Sequence, residues 1–292
     1  MTLPNFVVIG AMKCATTTLA VQLAAQGGIF VSDPKEPNFF SNDEIYAQGM
    51  EWYESLFQDA GGAQLVGEAS THYTKLPTYP KTVERFKKVL PDVRLIYVMR
   101  HPIDRLLSQY VHEWSQRLIT GPIEEELLMN SWMIDYGRYA MQLAPWLEAY
   151  GPDRILPVFN ERIRSAPQEE LTRVCEFLGY EGTPSWVESG DQNVSSQRMR
   201  KSPVRDAILG APGLKQIRTG LVPQGVRDWA KGFWKMSSKP ELAEPKRAEL
   251  ERLYDEDLAV LGGWLGTKLT CANFKDVASS TPMAFQRARS GV

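Results

Sequence analysis

Along the first 180 residues, short apolar runs rich in β-branched side chains alternate with longer stretches of mixed polarity. Phe6-Val7-Val8-Ile9 reads as a buried parallel strand, because a strand covered on both faces shows no polar alternation. Gly10 interrupts it. After Thr16-Thr17-Thr18, residues Leu19, Leu23 and Ala24 share one helical face, and Gly27-Gly28 supplies a helix stop. Further strands are predicted at Ile29-Phe30-Val31, at Leu65-Val66-Gly67-Glu68, at 94–99 (the clearest central strand) and at 155–159. The spacing between them predicts helices over 43–59 (Trp52, Tyr53 and Phe57 inward), near 79–89, from Ile103, over 138–150 and over 167–178. Pro145 is expected to kink or split the fourth of these.

Alternating strands and helices imply an α/β protein: a P-loop-like, three-layer fold with a central, mostly parallel sheet flanked by helices. From about residue 190 the pattern weakens, and DQNVSSQRMRKSPVR is polar and basic, as a loop would be. A helix is predicted again over 241–261, and the mixed composition from roughly Lys275 predicts fraying. No repeat or linker divides the chain, so the expectation is one domain over 1–275 and a poorly ordered tail over 276–292.

Charge narrows the partners. The 33 Lys and Arg against 35 Asp and Glu give a formal charge of −2, which excludes wholesale wrapping of nucleic acid but leaves room for a local anion pocket. Cys14, Cys175 and Cys271 form no CxxC pair, so neither a zinc site nor a disulfide framework is implied. The opening MTLPNFVVIGAMK has no basic n-region, and no apolar stretch approaches the roughly 20 residues of a bilayer span. The resulting expectation is a cytoplasmic, reduced protein without a membrane span. Oligomeric state is not legible.

The sharpest chemical feature is GAMKCATTTL, residues 10–19, between a strand and a helix. Backbone N–H groups there face whatever lies over the helix N-terminus, which favours an anion. Lys13 adds a charge, and Thr16, Thr17 and Thr18 add hydroxyl donors. The segment does not match the nucleotide-triphosphate P-loop GxxxxGK[ST]: it has one glycine, and Lys13 follows it by three residues without a Ser or Thr next. The strand over 94–99 leads into Arg100, where many P-loop enzymes place a magnesium-binding Asp. Lysine and backbone donors suit a sulfuryl group, which carries less charge than a phosphoryl group and needs no metal. The second feature is RHPIDRLLSQY, residues 100–110, where Arg100 and Ser108 form a fork and a hydroxyl for one further phosphate. Read alone, Lys13 is equally a charge on a surface turn, and Arg100 a partner for some carboxylate.

Together and in this order the two segments resemble the sulfotransferase family. The first is similar to its 5′-phosphosulfate loop and the second to its 3′-phosphate signature. KEPNFF at 35–40 resembles the Lys/Glu-x-x-Phe-Phe segment of carbohydrate sulfotransferases, notably the heparan sulfate type. GEASTHY at 67–73 resembles their Glu-x-Ser-Pro-x-Tyr segment, with Thr71 in place of proline. GRYAMQLAPWLEAYGPDRILPVFNERI at 137–163 and EFLGY at 176–180 continue the likeness, which covers roughly residues 5–180.

The resemblance implies a nucleotide donor, 3′-phosphoadenosine 5′-phosphosulfate (PAPS), with 3′-phosphoadenosine 5′-phosphate (PAP) as its product. It implies that the 13–18 segment, Lys13-Cys14-Ala15-Thr16-Thr17-Thr18, holds the 5′-phosphosulfate and that Arg100 and Ser108 hold the 3′-phosphate. Ala15 stands where glycine is common. Glu36 falls on the catalytic base of the carbohydrate branch, a carboxylate suited to taking the acceptor proton, while Lys13 neutralises charge on the leaving phosphate. His72 is a competing base, since histidine titrates near neutrality. Lys35, Glu68, Ser70 and His72 are candidates for the acceptor side, with Glu68 as a structural or orienting carboxylate. Arg198, Arg200 and Lys201 form a late basic loop that closes over the nucleotide, attracts an anionic acceptor or is a solvated face. Cys14 reads as a small filler, although a helix N-terminus can acidify a thiol. Trp114, Trp132 and Trp146 read as packing residues. The implied reaction is direct in-line transfer to a hydroxyl of a sugar, glycolipid or natural product, without metal. The membrane anchor of Golgi members of the branch is not seen in this sequence. A P-loop small-molecule kinase and a non-catalytic nucleotide-binding module are the alternatives.

Overall fold

The computed structural model describes residues 2–188 and 240–287. Its centre is a five-stranded sheet with every ladder parallel, built from β1 (Phe6–Gly10), β2 (Ile29–Val31), β3 (Leu65–Ala69), β4 (Arg94–Met99) and β5 (Ile155–Phe159) in the order β2-β3-β1-β4-β5. Parallel strands covered on both faces carry unbroken apolar runs, and Phe6, Val7, Val8, Ile9, Leu95, Ile96, Tyr97, Val98 and Met99 are all at most 1% exposed.

The helices are α1 (Thr16–Ala24), α2 (Asp43–Tyr46), α3 (Gly49–Ser55), α4 (Thr82–Val89), α5 (Pro102–Gln116), α6 (Ile123–Met129), α7 (Trp132–Asp135), α8 (Tyr139–Tyr150), α9 (Asn160–Ser165), α10 (Pro167–Leu178), α11 (Glu244–Leu265) and α12 (Phe274–Ser280). The α/β expectation and its parallel sheet are met, strand for strand. Three expectations about helices are not. The helix over 43–59 is two short helices and a 3-10 turn, because Gly49 takes φ 83° where one continuous helix would run. Pro145 lies inside a single 12-residue α8. Buried Leu143 and Trp146 on either side of it, the latter edge-on to Phe86 at 5.1 Å, hold the helix together across the missing donor.

The chain also continues in order past Lys275: α12 buries Phe274 and Ala278, and Met283 and Phe285 are 8% exposed. Phe274 packs against Phe159 (5.7 Å) and His101 (6.0 Å). Sparse apolar residues suffice to dock a short terminal helix when each of them is buried.

The crossovers place the loops after β1, β2, β3 and β4 at one edge, the carboxyl end of the strands, where open α/β sheets bind ligands. β1 is central, with β3 on one side and β4 on the other.

Candidate active site

The loop from Gly10 to Ala15 is shaped by close approach. A Cβ on Gly10 would lie 2.0 Å from Thr74 Oγ1 and 3.0 Å from the Tyr97 ring, so only glycine fits at the end of β1. Ala11 N–H donates to Val98 O (2.7 Å), pinning the loop to β4. Lys13 (φ 69°) and Ala15 (φ 70°) are left-handed, while Met12, Cys14 and Thr16 between and around them are not. Alternating handedness turns successive N–H groups toward one concavity, the form of an anion nest. Ala15 thus adopts the conformation glycine takes without cost, at a penalty of about 1 kcal/mol for an L side chain. No side chain caps the start of α1, so its first N–H groups stay available to an anion.

Arg100 meets this loop directly: its Nη1 donates to Lys13 O at 3.4 Å. Tyr139, fully buried at the start of α8, is the tie between the two segments. Its hydroxyl donates to Arg100 O, accepts from Arg100 N–H at 3.1 Å, and lies 3.7 Å from Cys14 Sγ. The structure therefore brings Lys13, Thr16, Thr17, Thr18 and Arg100 to one strand edge, with Ser108 in the first half of α5 behind Arg100. It turns Cys14 away. The thiol is buried, its N–H donates to Ala11 O (3.3 Å), and burial pushes its pKa up to about 12, the opposite of helix-dipole acidification.

Glu36 lies on the loop after β2, with its N–H donating to Ala69 O at 3.1 Å. Asn38 N–H donates to Ser70 Oγ (3.2 Å). Both Glu36 (φ 62°) and Asn38 (φ 55°) are left-handed, a backbone strain of the kind that collects at functional loops. Lys35 Nζ donates to Glu36 Oε1 at 2.6 Å, and the pair is about two-thirds buried. Burial pushes the Glu36 carboxyl upward, but the charge and hydrogen bond of Lys35, aided by Lys75 and His72, hold it below its ordinary value.

Glu68 and Ser70 do not reach this surface. Both are 0% exposed. Glu68 accepts from Tyr53 (2.7 Å), Ser70 (2.8 Å) and Tyr73 (2.9 Å), and burial lifts its pKa to about 7 against those donors. The geometry replaces acceptor contact by a chain of support: Glu68 orients Ser70, and Ser70 holds the Asn38 end of the Glu36 loop. His72 stacks on Tyr79 (ring centroids 5.0 Å), and burial with the nearby Lys75 charge lowers its pKa to about 4. It is neutral at pH 7 and its Nδ1 is buried without a partner among the described residues. Arg198, Arg200 and Lys201 lie outside the described residues. Of the tryptophans, Trp146 is 1% exposed in the core, and Trp114 and Trp132 pack against it partly buried.

Sequence reasoning passed over Lys75, Glu113 and Tyr139. Tyr139 lies within the 137–163 stretch, whose pattern assigns it no role. Glu113 had a legible signal, since Arg105, Gln109 and Glu113 recur every four residues on α5, and all three are buried. Arg105 Nη1 donates to Gln109 Oε1 (2.6 Å), and Gln109 Nε2 to Glu113 Oε1 (3.4 Å).

Comparison with known proteins gives this arrangement a context. The family model described as "Sulfotransferase domain" matches residues 3–262. Heparan sulfate glucosamine 3-O-sulfotransferase 3B1 of Mus musculus is 32% identical over 186 residues, covering 61% of this chain and 46% of that enzyme. The chain thus spans about half the length of the curated relatives it matches. The membrane-associated sulfotransferase kil1 of Dictyostelium discoideum is 36% identical over 127 residues, 42% of this chain and 26% of that protein. Among solved structures, a sulfotransferase from Alicyclobacillus acidocaldarius aligns with a TM-score of 0.67 at 22% identity, covering 92% of this chain and 98% of the other, which shows a shared fold. These relatives correct one expectation. A cytoplasmic location does not stand, because a relative bearing the same domain is named as membrane-associated. Cysteine count and the apolar profile of this sequence do not fix a compartment. Among the described residues no helix is long and apolar enough to cross a membrane.

Proposed function

The chain belongs to the sulfotransferase domain family, and we propose that it transfers the sulfuryl group of PAPS to a hydroxyl group of a carbohydrate acceptor. The observation that carries the reading is the meeting of two anion-binding elements, the Lys13 loop and Arg100, at a 3.4 Å contact. An anion nest and an arginine on neighbouring strand ends suit a nucleotide with a phosphate on both its 5′ and 3′ positions. A carbohydrate acceptor is supported by the heparan sulfate glucosamine 3-O-sulfotransferase relatives and by the resemblance of the 35–40 segment to the carbohydrate sulfotransferases.

In this reading the N–H groups of the loop, the Lys13 ammonium and the hydroxyls of Thr16, Thr17 and Thr18 bind the 5′-phosphosulfate. Arg100 and Ser108 bind the 3′-phosphate. The acceptor oxygen forms a new bond to sulfur, the bond from sulfur to the 5′-phosphate oxygen breaks, and Glu36 takes the acceptor proton. Lys13 offsets the charge arriving on the leaving oxygen, at the point where preorganised electrostatics contribute most. Glu36 is ionised and therefore ready to accept a proton at neutral pH. The ladder from Arg94 to Met99 ends without an acidic residue for magnesium, which disfavours the kinase alternative.

The test is transfer of 35S from labelled PAPS to de-O-sulfated heparan sulfate without added metal. Labelled polysaccharide is expected from the native chain, with none from Lys13→Ala and a loss of about 10²–10⁴-fold in kcat for Glu36→Gln. Magnesium-dependent consumption of ATP with no use of PAPS would return the kinase reading.

A further inference from the structure

Lys75 is the least expected charge in the molecule. It follows the 3-10 turn Thr71–Thr74 after β3 and is 9% exposed. Its ammonium lies over the Tyr136 ring at 5.5 Å from the centroid. Among the described residues it makes no hydrogen bond and no ion pair. A desolvated ammonium without a partner costs several kcal/mol, so a fold retains one only where something else is gained. The charges around it explain what. Glu36 from the loop after β2 and Glu113 from α5 both pull on it, Arg105 of α5 pushes against it, and His72 of its own turn feels it. Glu113, in turn, faces both Lys75 and Lys13. Two lysines from different strand ends, Lys75 and Lys13, therefore act on one buried carboxylate, and Lys75 also acts on Glu36.

We propose that Lys75 is a further catalytic residue: its ammonium contacts the oxygens of the sulfuryl group in transit between Lys13 and Glu36, with Glu113 as the positioning carboxylate that holds it there. The inference rests on the sulfuryl-transfer reading and adds a second cation to it. Lys75 exchanges no proton in the step. The acceptor proton goes to Glu36 and the leaving oxygen is met by Lys13, while Lys75 stabilises charge on the non-bridging oxygens. An unpartnered ammonium is suited to this, because no existing ion pair has to be broken when the sulfuryl group arrives. Burial holds the Lys75 pKa down at about 8 against the attraction of Glu36 and Glu113, so the group is charged at neutral pH and discharges just above it. Tyr136 is neutral across that range, its own pKa raised to about 12.

The deciding probe is orthovanadate, a trigonal-bipyramidal mimic of the transferring group, titrated calorimetrically onto the full chain with PAP bound. Lys75→Met is expected to bind PAP as the native chain does, to weaken vanadate by at least about tenfold, and to unfold no earlier on heating, since it removes a buried charge. Lys75→Arg is expected to recover most of the vanadate affinity. In the transfer assay kcat of the native chain falls above about pH 8, where buried Lys75 loses its charge, and Lys75→Arg extends activity to higher pH. Native vanadate affinity in folded Lys75→Met overturns the proposal. Failure of the native chain to bind PAP overturns instead the sulfuryl-transfer reading on which it stands.

Discussion

A carboxylate held below its ordinary value is a weaker base, yet it is fully ionised when the acceptor arrives. For Glu36 the lowering comes from Lys35, Lys75 and His72 acting against burial. His72 moves the other way, its protonated form disfavoured down to about pH 4. Both candidate bases are therefore unprotonated at neutral pH, and substitution rather than the shape of the native profile tells them apart. With Glu36 as base, kcat/KM stays level as pH falls through 6.5 and declines only below the ordinary carboxylate range. With His72 as base, its lowered pKa would put the inflection near pH 4, and His72→Asn would abolish transfer. The expected result is the level profile in the native chain and in His72→Asn. Lys35→Ala, which removes the nearest positive charge, shifts the acid limb of the native profile upward. At this scale the resemblance nominated Lys13, Glu36 and Arg100, because motif spacing carries residue identity, and the structure brings Lys13 and Arg100 into contact. The reading of Glu68 as a structural carboxylate fits its three hydroxyl donors, whereas Ser70, expected on the acceptor side, is fully buried. They lie in a strand-end motif next to the site, and periodicity does not tell an outward carboxylate from one that binds three hydroxyls.

The strands were legible because β1, β4 and β5 each hold four or more apolar residues in a row and β2 and β3 open on two or three. The helices that matter for the site were legible only as isolated elements, and the contacts that place them were not. α8 shows why. Arg138 precedes it and supplies no side-chain cap. The first N–H groups of the helix instead reach Asp257 of α11: Ala140 N–H donates to Oδ2 (2.8 Å) and Met141 N–H to Oδ1 (3.0 Å). A cap delivered from 116 residues away leaves no local signature. Through it, α11 fixes the N-terminus of α8 and with it Tyr139, whose hydroxyl joins Arg100 to the Lys13 loop. Asp257→Ala is expected to lower stability by about 1–2 kcal/mol, the loss of a helix cap, readable as an earlier urea midpoint. It is also expected to weaken PAP binding more than a substitution of equal stability cost on α10, since only the former loosens Tyr139. Equal losses from both would show that Asp257 acts on stability alone.

At the scale of the whole molecule the site is assembled from the ends of four parallel strands. Lys13 follows β1, Glu36 follows β2, Lys75 follows the turn after β3, and Arg100 follows β4. None of these residues is near another in sequence, so a single nucleotide phosphorylated at both its 5′ and 3′ positions would bridge segments that come from separate strand ends. Binding to the native state but not to the unfolded chain stabilises by RT ln(1 + [L]/Kd), about 2.7 kcal/mol at a hundredfold excess over Kd. For a chain of 292 residues that corresponds to a rise of roughly 4–5 °C in Tm. PAP without magnesium is expected to give such a shift. ADP, which lacks the 3′-phosphate, is expected to give a much smaller one at the same concentration. Arg100→Ala should collapse the difference between the two nucleotides, because the guanidinium is the group that reads the 3′-phosphate in this arrangement. If Arg100→Ala lowered both shifts equally, Arg100 would be serving the Lys13 loop through its contact with Lys13 O, and the 3′-phosphate would have to be read elsewhere along the same strand edge.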